Sequence, residues 1–492
     1  MIKTLTQEKL VKILAVLLTL TICTTRISMA AGQIFQGLAL LTGIILFFRQ
    51  GRRLTLDPES KRYYTVALAF FAGTLVSAIG AVNPGTVVKE FFNMWIWRSV
   101  IFVLIAAFIH RRDYLVNMLA AYLAVMGLEG LAAAGEAIVR GGRGWGFGPA
   151  TTNSLALCGM MCLILPTACI ILYDSGFETK LKRAAAFCTA GILGGQLGAQ
   201  SRAAWLTALI SMPIAFTPYA RKSLKYLTVV LSIAALITGV FAVRPHYMKR
   251  LVSSSNMTTD WSNTHRLWLW ESCINMFKDH PVNGIGLGNF QEFYKNHGYW
   301  MHNGKGELTP AELRQQTNPA PKKAPAKQAP VKKAAATQQN APAKQAPLKK
   351  AVPQQKAPAK QAPVKKAVPQ QKAPAQQNTV KKAAATQQKP AAQKRVFVAG
   401  HAHNSYFQLL AETGVIGFAG LLFFVLYYLG SSLRNWFREK QPYDLMFFTS
   451  FLSFFVLFAQ VEHIVDNSAA VRMMWFLLAI LLQMKRLKKE GR

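Results

Sequence analysis

Residues 399–417 read AGHAHNSYFQLLAETGVIG and place two histidines directly before a long apolar run. An imidazole with an ordinary pKa of about 6.5 accepts a proton near neutral pH, so His401 and His403 are candidate general bases. A histidine at the edge of an apolar helix is also often structural. Local sequence does not choose between these roles, and the competing histidines are His265, His280, His297, His302 and His463.

Two arginines are candidate anion ligands. Arg202 lies in GAQSRAAWL between two apolar segments, where a guanidinium needs a partner or a water-filled cavity. It can also be an interfacial residue whose charged end reaches the lipid headgroups. Arg266 opens THRLWLW, where it can stack on Trp270 or bind an anion. A planar guanidinium donates two parallel hydrogen bonds to phosphate, so a pair of arginines would suit a diphosphate.

The elements that position these residues are predicted to be membrane helices. Of the 492 residues, 52% are hydrophobic, and they concentrate in blocks of roughly 16–27 residues, about the length of a transmembrane helix. The sequence therefore predicts an all-α polytopic membrane protein with about twelve transmembrane helices. The predicted spans are 11–30, 32–48, 63–82, 93–110, 114–138, 154–173, 184–200, 203–218, 225–243, 405–430, 443–461 and 467–484.

The distribution of Lys and Arg predicts the orientation of these spans. One alternate set of connecting segments carries most of the basic residues and is expected to be cytoplasmic, which places both termini inside. The first apolar stretch follows Lys3, Lys9 and Lys12 and could be a cleaved signal peptide. A second apolar span follows at once and favours a retained helix.

The chain divides into three predicted regions. Residues 1–243 form a transmembrane region of about nine helices, residues 244–403 a large periplasmic loop, and residues 404–492 about three helices with a basic cytoplasmic tail. Within the loop, 262–281 predicts an amphipathic helix near the membrane surface, and GIGLG at 284–288 predicts a tight turn. The six cysteines lie mostly in apolar spans, so neither a disulfide framework nor a metal site is predicted.

The middle of the loop, 317–392, is a Lys/Pro/Ala-rich repeat insert without aromatic or acidic residues. Such a segment cannot bury enough apolar surface to fold, so we expect disorder and a tolerated insertion. The alternative is a cationic tether for anionic envelope polymers or lipid headgroups. Because no aromatic residue is interleaved with the lysines, the formal net charge of +36 is not interpreted as a sign of nucleic-acid binding.

Three motifs resemble the bacterial O-antigen ligase and polymerase superfamily, which includes protein O-oligosaccharyltransferases. HNSYFQLLAETGVIG fits its pattern H-[SNQ]-x9-G-x-x-[GTA], with His403-Asn404 followed by Gly414 and Gly417. RLWLWESCINMFKDHPVNGIGLGNF resembles the family's Arg–Trp helix and the turn after it, and SRAAWL at 201–206 resembles its Ser-Arg motif. The resemblance covers nearly the whole chain except the insert. It selects His403, because His401 is followed by alanine.

This resemblance implies glycosyl transfer at the periplasmic face of the bacterial inner membrane. The donor would be a glycan on undecaprenyl diphosphate, and the acceptor of a ligase would be a sugar hydroxyl of the lipid A–core. His403 would be the general base, and Arg202 and Arg266 would hold the diphosphate. The family's ligases need neither metal nor nucleotide, so no cofactor is expected.

The resemblance also suggests supporting residues. Asn404 would orient a sugar or the histidine, and Trp270 would support the site. Glu412 would face the glycan or pack inside the bundle. Gly414 and Gly417 lie about one turn apart and favour close helix packing.

The motifs leave the acceptor open. An O-antigen polymerase or a protein O-oligosaccharyltransferase would share the donor and the chemistry. A transporter or flippase is less favoured, because the large outer loop is not explained by alternating access and the two halves of the chain show no repeat. A non-enzymatic tether built on the insert is the least favoured function.

Overall fold

The computed structural model describes residues 6–147, 154–220, 261–296 and 400–491. These ranges fold into helices and contain no strand. The helices are α1 (Gln7–Thr25), α2 (Met29–Arg49), α3 (Pro58–Leu75), α4 (Pro84–Phe108), α5 (Arg112–Arg140), α6 (Ser154–Tyr173), α7 (Thr179–Ala199), α8 (Arg202–Ala220), α9 (Trp261–Asp279), α10 (Phe290–Asn296), α11 (Ser405–Glu439), α12 (Pro442–Phe458) and α13 (Ser468–Lys489).

The all-α prediction is confirmed for the described residues, where each predicted apolar span overlaps a helix. Within these residues, six helices are long and apolar enough to cross a membrane, namely α2, α4, α5, α6, α11 and α13. The protein is therefore a multi-pass membrane protein, while the total of about twelve crossings stays a prediction. The predicted span 225–243 and the insert 317–392 lie outside the described residues.

Two helices contain π-helical segments near one end of the bundle. In α4 the segment is Phe91–Trp97, and in α12 it is Leu452–Phe458. The wider turn of α12 closes with a hydrogen bond from Ala459 N to the Phe454 carbonyl at 3.1 Å. Such segments are rare in proteins, and those that occur are often found at functional sites. Here the segment in α12 leads directly into the loop formed by residues 459–467.

Close backbone contact fixes the middle of the bundle. A Cβ added at Gly130 of α5 would lie 2.1 Å from the Gly191 carbonyl oxygen of α7. The two helices can approach this closely only because glycine has no side chain. On the other side, the Tyr428 hydroxyl of α11 donates to the Tyr63 carbonyl of α3 at 2.8 Å. This hydrogen bond joins α11 to α3.

An ionic network holds the end of the bundle where α11 and α13 finish. Lys485 is buried and contacts Glu59 at 2.7 Å, Asp444 at 2.8 Å and Glu439 at 3.4 Å. A buried ammonium is tolerated when several carboxylates surround it. This network joins α3, α11, α12 and α13, and it leaves the opposite end of the bundle to carry the candidate site.

Candidate functional site

The start of α11 is fixed to the loop that joins α12 to α13. Asn404 is the N-cap of α11, and its Oδ1 accepts hydrogen bonds from the backbone nitrogens of Tyr406 at 2.8 Å and Phe407 at 3.1 Å. Its Nδ2 donates to the Gln460 carbonyl at 2.8 Å. Both ends of this amide are thus engaged with backbone, and in this structure Asn404 positions the helix and the loop.

Ser405 makes the second connection to the same loop. Its Oγ donates to the Glu462 carbonyl at 3.1 Å and accepts from Ile464 N at 3.0 Å, while its backbone nitrogen donates to the Ala459 carbonyl at 2.9 Å. Residues on either side of Glu462 are therefore held at set distances from α11. This brings the Glu462 carboxylate to the histidines that precede the helix.

His403 contacts the carboxylate of Glu462. The distance from His403 Nδ1 to Glu462 Oε2 is 3.1 Å, and the side chains are 27% and 6% exposed. Burial acts to raise the pKa of Glu462, but the hydrogen bond from His403 and the positive charges around it outweigh burial and lower the pKa. An ionised Glu462 accepts the Nδ1 proton of His403, and this tautomer leaves Nε2 as the basic nitrogen.

His403 is also held in an uncommon backbone conformation, with φ of 51°. Its backbone nitrogen donates to His401 Nδ1 at 3.2 Å. Trp270 Nε1 of α9 donates to the Ala402 carbonyl at 3.1 Å, and Ala402 N donates to Gln408 Oε1 at 2.7 Å. A left-handed conformation of a non-glycine residue persists where its surroundings fix it, and these three contacts do so. Trp270 and His401 therefore act on the placement of His403.

Helix α9 brings the predicted arginines towards this cluster. The charge of Arg266 acts on both Glu462 and His401, and the ring centroid of His265 lies 6.5 Å from that of His403. Asn263, nearly one turn before Arg266, accepts a hydrogen bond from Arg202 Nη2 at 3.4 Å. The charge of Arg266 thus acts on the histidine–carboxylate cluster, and Arg202 is hydrogen-bonded to Asn263 on the same helix as Arg266.

Glu412 lies inside the protein, one of the two positions considered for it. It is 3% exposed, and its Oε1 accepts from Gln408 Nε2 at 2.8 Å and from Phe290 N at 3.4 Å. The Glu412 carbonyl also accepts from Gly286 N at 2.8 Å. The residue therefore holds the turn that follows α9 against α11.

Gly414 is where α11 breaks to receive that turn. Its φ is 59° and its ψ is −163°, and an added Cβ would lie 2.3 Å from the Val282 carbonyl oxygen. Val415 N donates to the Pro281 carbonyl at 2.8 Å across the break. Gly414 thus packs against a turn, which differs from the helix–helix contact that the spacing suggested. Gly417 lies closer to that expectation, since a Cβ on Gly73 of α3 would be 3.6 Å from its Cα.

The cluster also has the donor set of a metal site. His401, His403 and Glu462 each offer one ligand atom, and these atoms lie within 4.8 Å of one another. Two imidazoles with one carboxylate can bind zinc or iron. Sequence spacing gave no such indication, because Glu462 stands 59 residues after His403. The available signal was an acidic residue directly after the predicted apolar span 443–461.

The described residues thus form a multi-pass membrane protein. A histidine–carboxylate pair and two arginines lie towards one end of its helix bundle. Residues 186–311 match the family model described as O-antigen ligase. The match shows that this region of the chain is similar to the O-antigen ligase family. The matched range includes Arg202, Arg266 and the turn after α9, and it ends before His403. No curated protein gives a significant match.

Proposed function

We propose that the protein is an O-antigen ligase of the bacterial inner membrane. It transfers a glycan from undecaprenyl diphosphate to a sugar hydroxyl of the lipid A–core at the periplasmic face. The observation that carries this proposal is the contact between His403 Nδ1 and Glu462 at 3.1 Å, beside the charge of Arg266. The family match over residues 186–311 supports the class of donor.

His403 acts as the general base in this proposal. Its Nε2 takes the proton of the acceptor hydroxyl while the hydroxyl oxygen attacks the anomeric carbon. The bond from that carbon to the diphosphate oxygen breaks, and the carrier leaves with the electron pair. Glu462 stabilises the imidazolium that forms, because it is a carboxylate on the opposite ring nitrogen.

Arg202 and Arg266 bind the diphosphate. The negative charge on the leaving group grows as the glycosidic bond breaks, and fixed guanidinium donors meet that charge without reorganisation. The charge of Arg266 acts on Glu462, which contacts the base. Arg202 is hydrogen-bonded to Asn263 on the same helix as Arg266. The arginines therefore supply the charge compensation that a divalent cation provides in many diphosphate enzymes.

Transfer by the reconstituted protein tests the base. His403→Ala should lower the rate of transfer roughly 10²- to 10⁴-fold, because the proton acceptor is removed. Binding of the lipid-linked donor should remain. His280→Ala is the matched control, since His280 is exposed and its ring contacts that of Phe293, at 5.4 Å between centroids. Full activity of the His403 variant would overturn the assignment.

A chelator distinguishes the metal alternative, and unchanged transfer after chelation is the expected result.

A deletion strain tests the acceptor. Lipopolysaccharide without O-antigen, together with long glycan left on the lipid carrier, is the result expected for a ligase. A core that carries a single repeat unit would show a polymerase instead. Normal lipopolysaccharide with missing glycoproteins would show a protein-directed transferase. The last two outcomes each contradict the proposed acceptor while leaving the shared chemistry of the donor in place.

A further inference from the structure

Two arginines lie buried in helices that are apolar enough to cross a membrane. Arg98 of α4 is 3% exposed and Arg472 of α13 is 0% exposed. A guanidinium in this position is costly and is retained where it binds a partner, lines an ion path or holds a ligand. The function proposed above uses neither residue.

Arg98 is only partly satisfied by protein groups. Its Nη1 donates to the Val465 carbonyl at 3.1 Å, and its Nη2 lies 3.8 Å from Asp466 Oδ1. Among the described residues, none of the three nitrogens of Arg472 has a hydrogen-bond partner, and neither does Arg98 Nε. The two positive charges are also near enough to act on each other. The carboxylates of Asp466, which is 58% exposed, and of Glu90 therefore act on Arg98, while the charge that acts on Arg472 is that of Arg98.

Two indole N–H groups complete a cluster of unpaired donors. Trp95 and Trp475 are buried, and Nε1 of each lacks an acceptor among the described residues. The ring centroid of Phe71 lies 5.3 Å from that of Trp95 and 6.1 Å from that of Trp475, so Phe71 joins the two indoles. Trp475 follows Arg472 by nearly one helical turn. We call Trp95, Arg98, Arg472 and Trp475 the arginine–tryptophan cluster.

We propose that the arginine–tryptophan cluster is an anion-binding site that takes a phosphate group. Its unpaired polar atoms are donors, and its net charge is positive, so its ligand must accept hydrogen bonds and carry negative charge. A phosphate oxyanion does both, and the guanidinium fork of Arg472 matches its geometry. Water fits less well, because its own hydrogens need acceptors that the cluster's unpaired nitrogens do not provide.

The site lies directly below the loop that carries Glu462. Arg98 binds Val465 and Asp466 of residues 459–467, three and four positions after Glu462. An anion that neutralises Arg472 removes the repulsion on Arg98 and so stabilises this loop. The phosphate can come from a phospholipid headgroup, from a lipid-linked diphosphate or from the free ion. Only the diphosphate source rests on the proposed function.

Thermal unfolding of the delipidated full-length protein tests the site and its source. Inorganic phosphate, phosphatidylglycerol and a polyprenyl diphosphate are added separately, and at least one is expected to raise the Tm. Arg472→Met should weaken that response at least about tenfold in concentration. Arg26→Met is the matched control, because Arg26 is 1% exposed but pairs with Glu129 at 3.5 Å. The control should lower the Tm of the protein and keep the response.

The three probes separate the sources, and a response to any of them that Arg472→Met weakens supports the site. No response to any probe, or an equal response in Arg472→Met, would overturn it. If Arg472→Met does not fold, native mass spectrometry of the wild-type protein decides, since a phosphate-containing adduct is expected before delipidation and its absence contradicts the site. His403→Ala should keep the Tm response, so failure of the proposed chemistry is distinguishable from failure of the anion site.

Discussion

His403 adopts the left-handed backbone conformation, which is uncommon for residues other than glycine. It directly precedes Asn404, the N-cap of α11. The family pattern selected this histidine over His401, and local sequence offered no physical reason for the choice. The structure supplies one, because His403 Nδ1 is at hydrogen-bond distance from the carboxylate, while His401 Nε2 lies 3.7 Å from it. His401 instead accepts from the backbone of His403, and burial lowers its pKa. The two histidines thus differ in their contacts.

Replacing Glu462 with glutamine tests the histidine–carboxylate pair. The expected result is a roughly 10- to 100-fold fall in kcat with little change in KM for the donor, because the amide orients His403 but does not stabilise an imidazolium. The pH profile of kcat should move as well. Glu462→Asp should keep more activity than Glu462→Gln, and equal activity of the two would contradict an electrostatic role.

The lowered pKa of Glu462 also makes the stability of the protein depend on pH. Folding lowers the pKa of Glu462 from its ordinary value of 4.5, so its carboxylate adds stability above that pH. That contribution is lost as the pH falls through the lowered value of the folded state. The sequence could not reveal this pairing, because Glu462 sits in VEHIVDNS and reaches the histidines only through Ser405 and Asn404.

At the scale of the element, the break in α11 and the turn after α9 form one unit. The sequence predicted the apolar helix, its histidine-bearing start and the tight turn as separate features. Two glycines about one turn apart looked like a helix-packing pair, because a helix was expected to continue through both. The partner of Gly414 lies about 130 residues earlier, at Val282, and spacing carries no information on that contact.

Gly414→Ala should therefore disturb the site more than its size suggests. The positive φ of 59° and the 2.3 Å approach of an added Cβ to the Val282 carbonyl oxygen both oppose the substitution. We expect a loss of stability of about 1–3 kcal/mol and reduced transfer, measured by thermal unfolding and by the reconstituted reaction. Gly430→Ala is the matched control in the same helix, with open space around an added Cβ. Equal effects of the two would contradict this interpretation of the break.

At the scale of the whole molecule, the lengths and hydrophobicity of the apolar segments predicted the positions of the helices in the described part of the chain. The spans 154–173 and 405–430, for example, begin at the first residues of α6 and α11. The π-helical segments were not predicted, because a one-residue widening leaves no mark on an apolar run. The buried arginines Arg98 and Arg472 were also missed, since their burial depends on how α4 and α13 pack.

The insert offers a test at the same scale. Deleting 317–392 should leave the rate of glycan transfer within about twofold of the full-length protein, because lengthening or shortening a loop costs little free energy. Transfer by the reconstituted deletion variant measures this directly. A variant that inserts into the membrane in normal amounts but has no activity would contradict the expectation of a tolerated insertion.

The break at Gly414 also sets a length. Residues 415–439 of α11, at about 1.5 Å per residue, form a rod of about 37 Å, which exceeds a hydrocarbon layer of about 30 Å. This rod alone suffices to cross the membrane, so residues 405–413 are not required for the crossing. The helical piece that carries His403 at its start is therefore oriented by the turn and by α9. Its depth does not depend on bilayer thickness in the way that the depth of a continuous helix would.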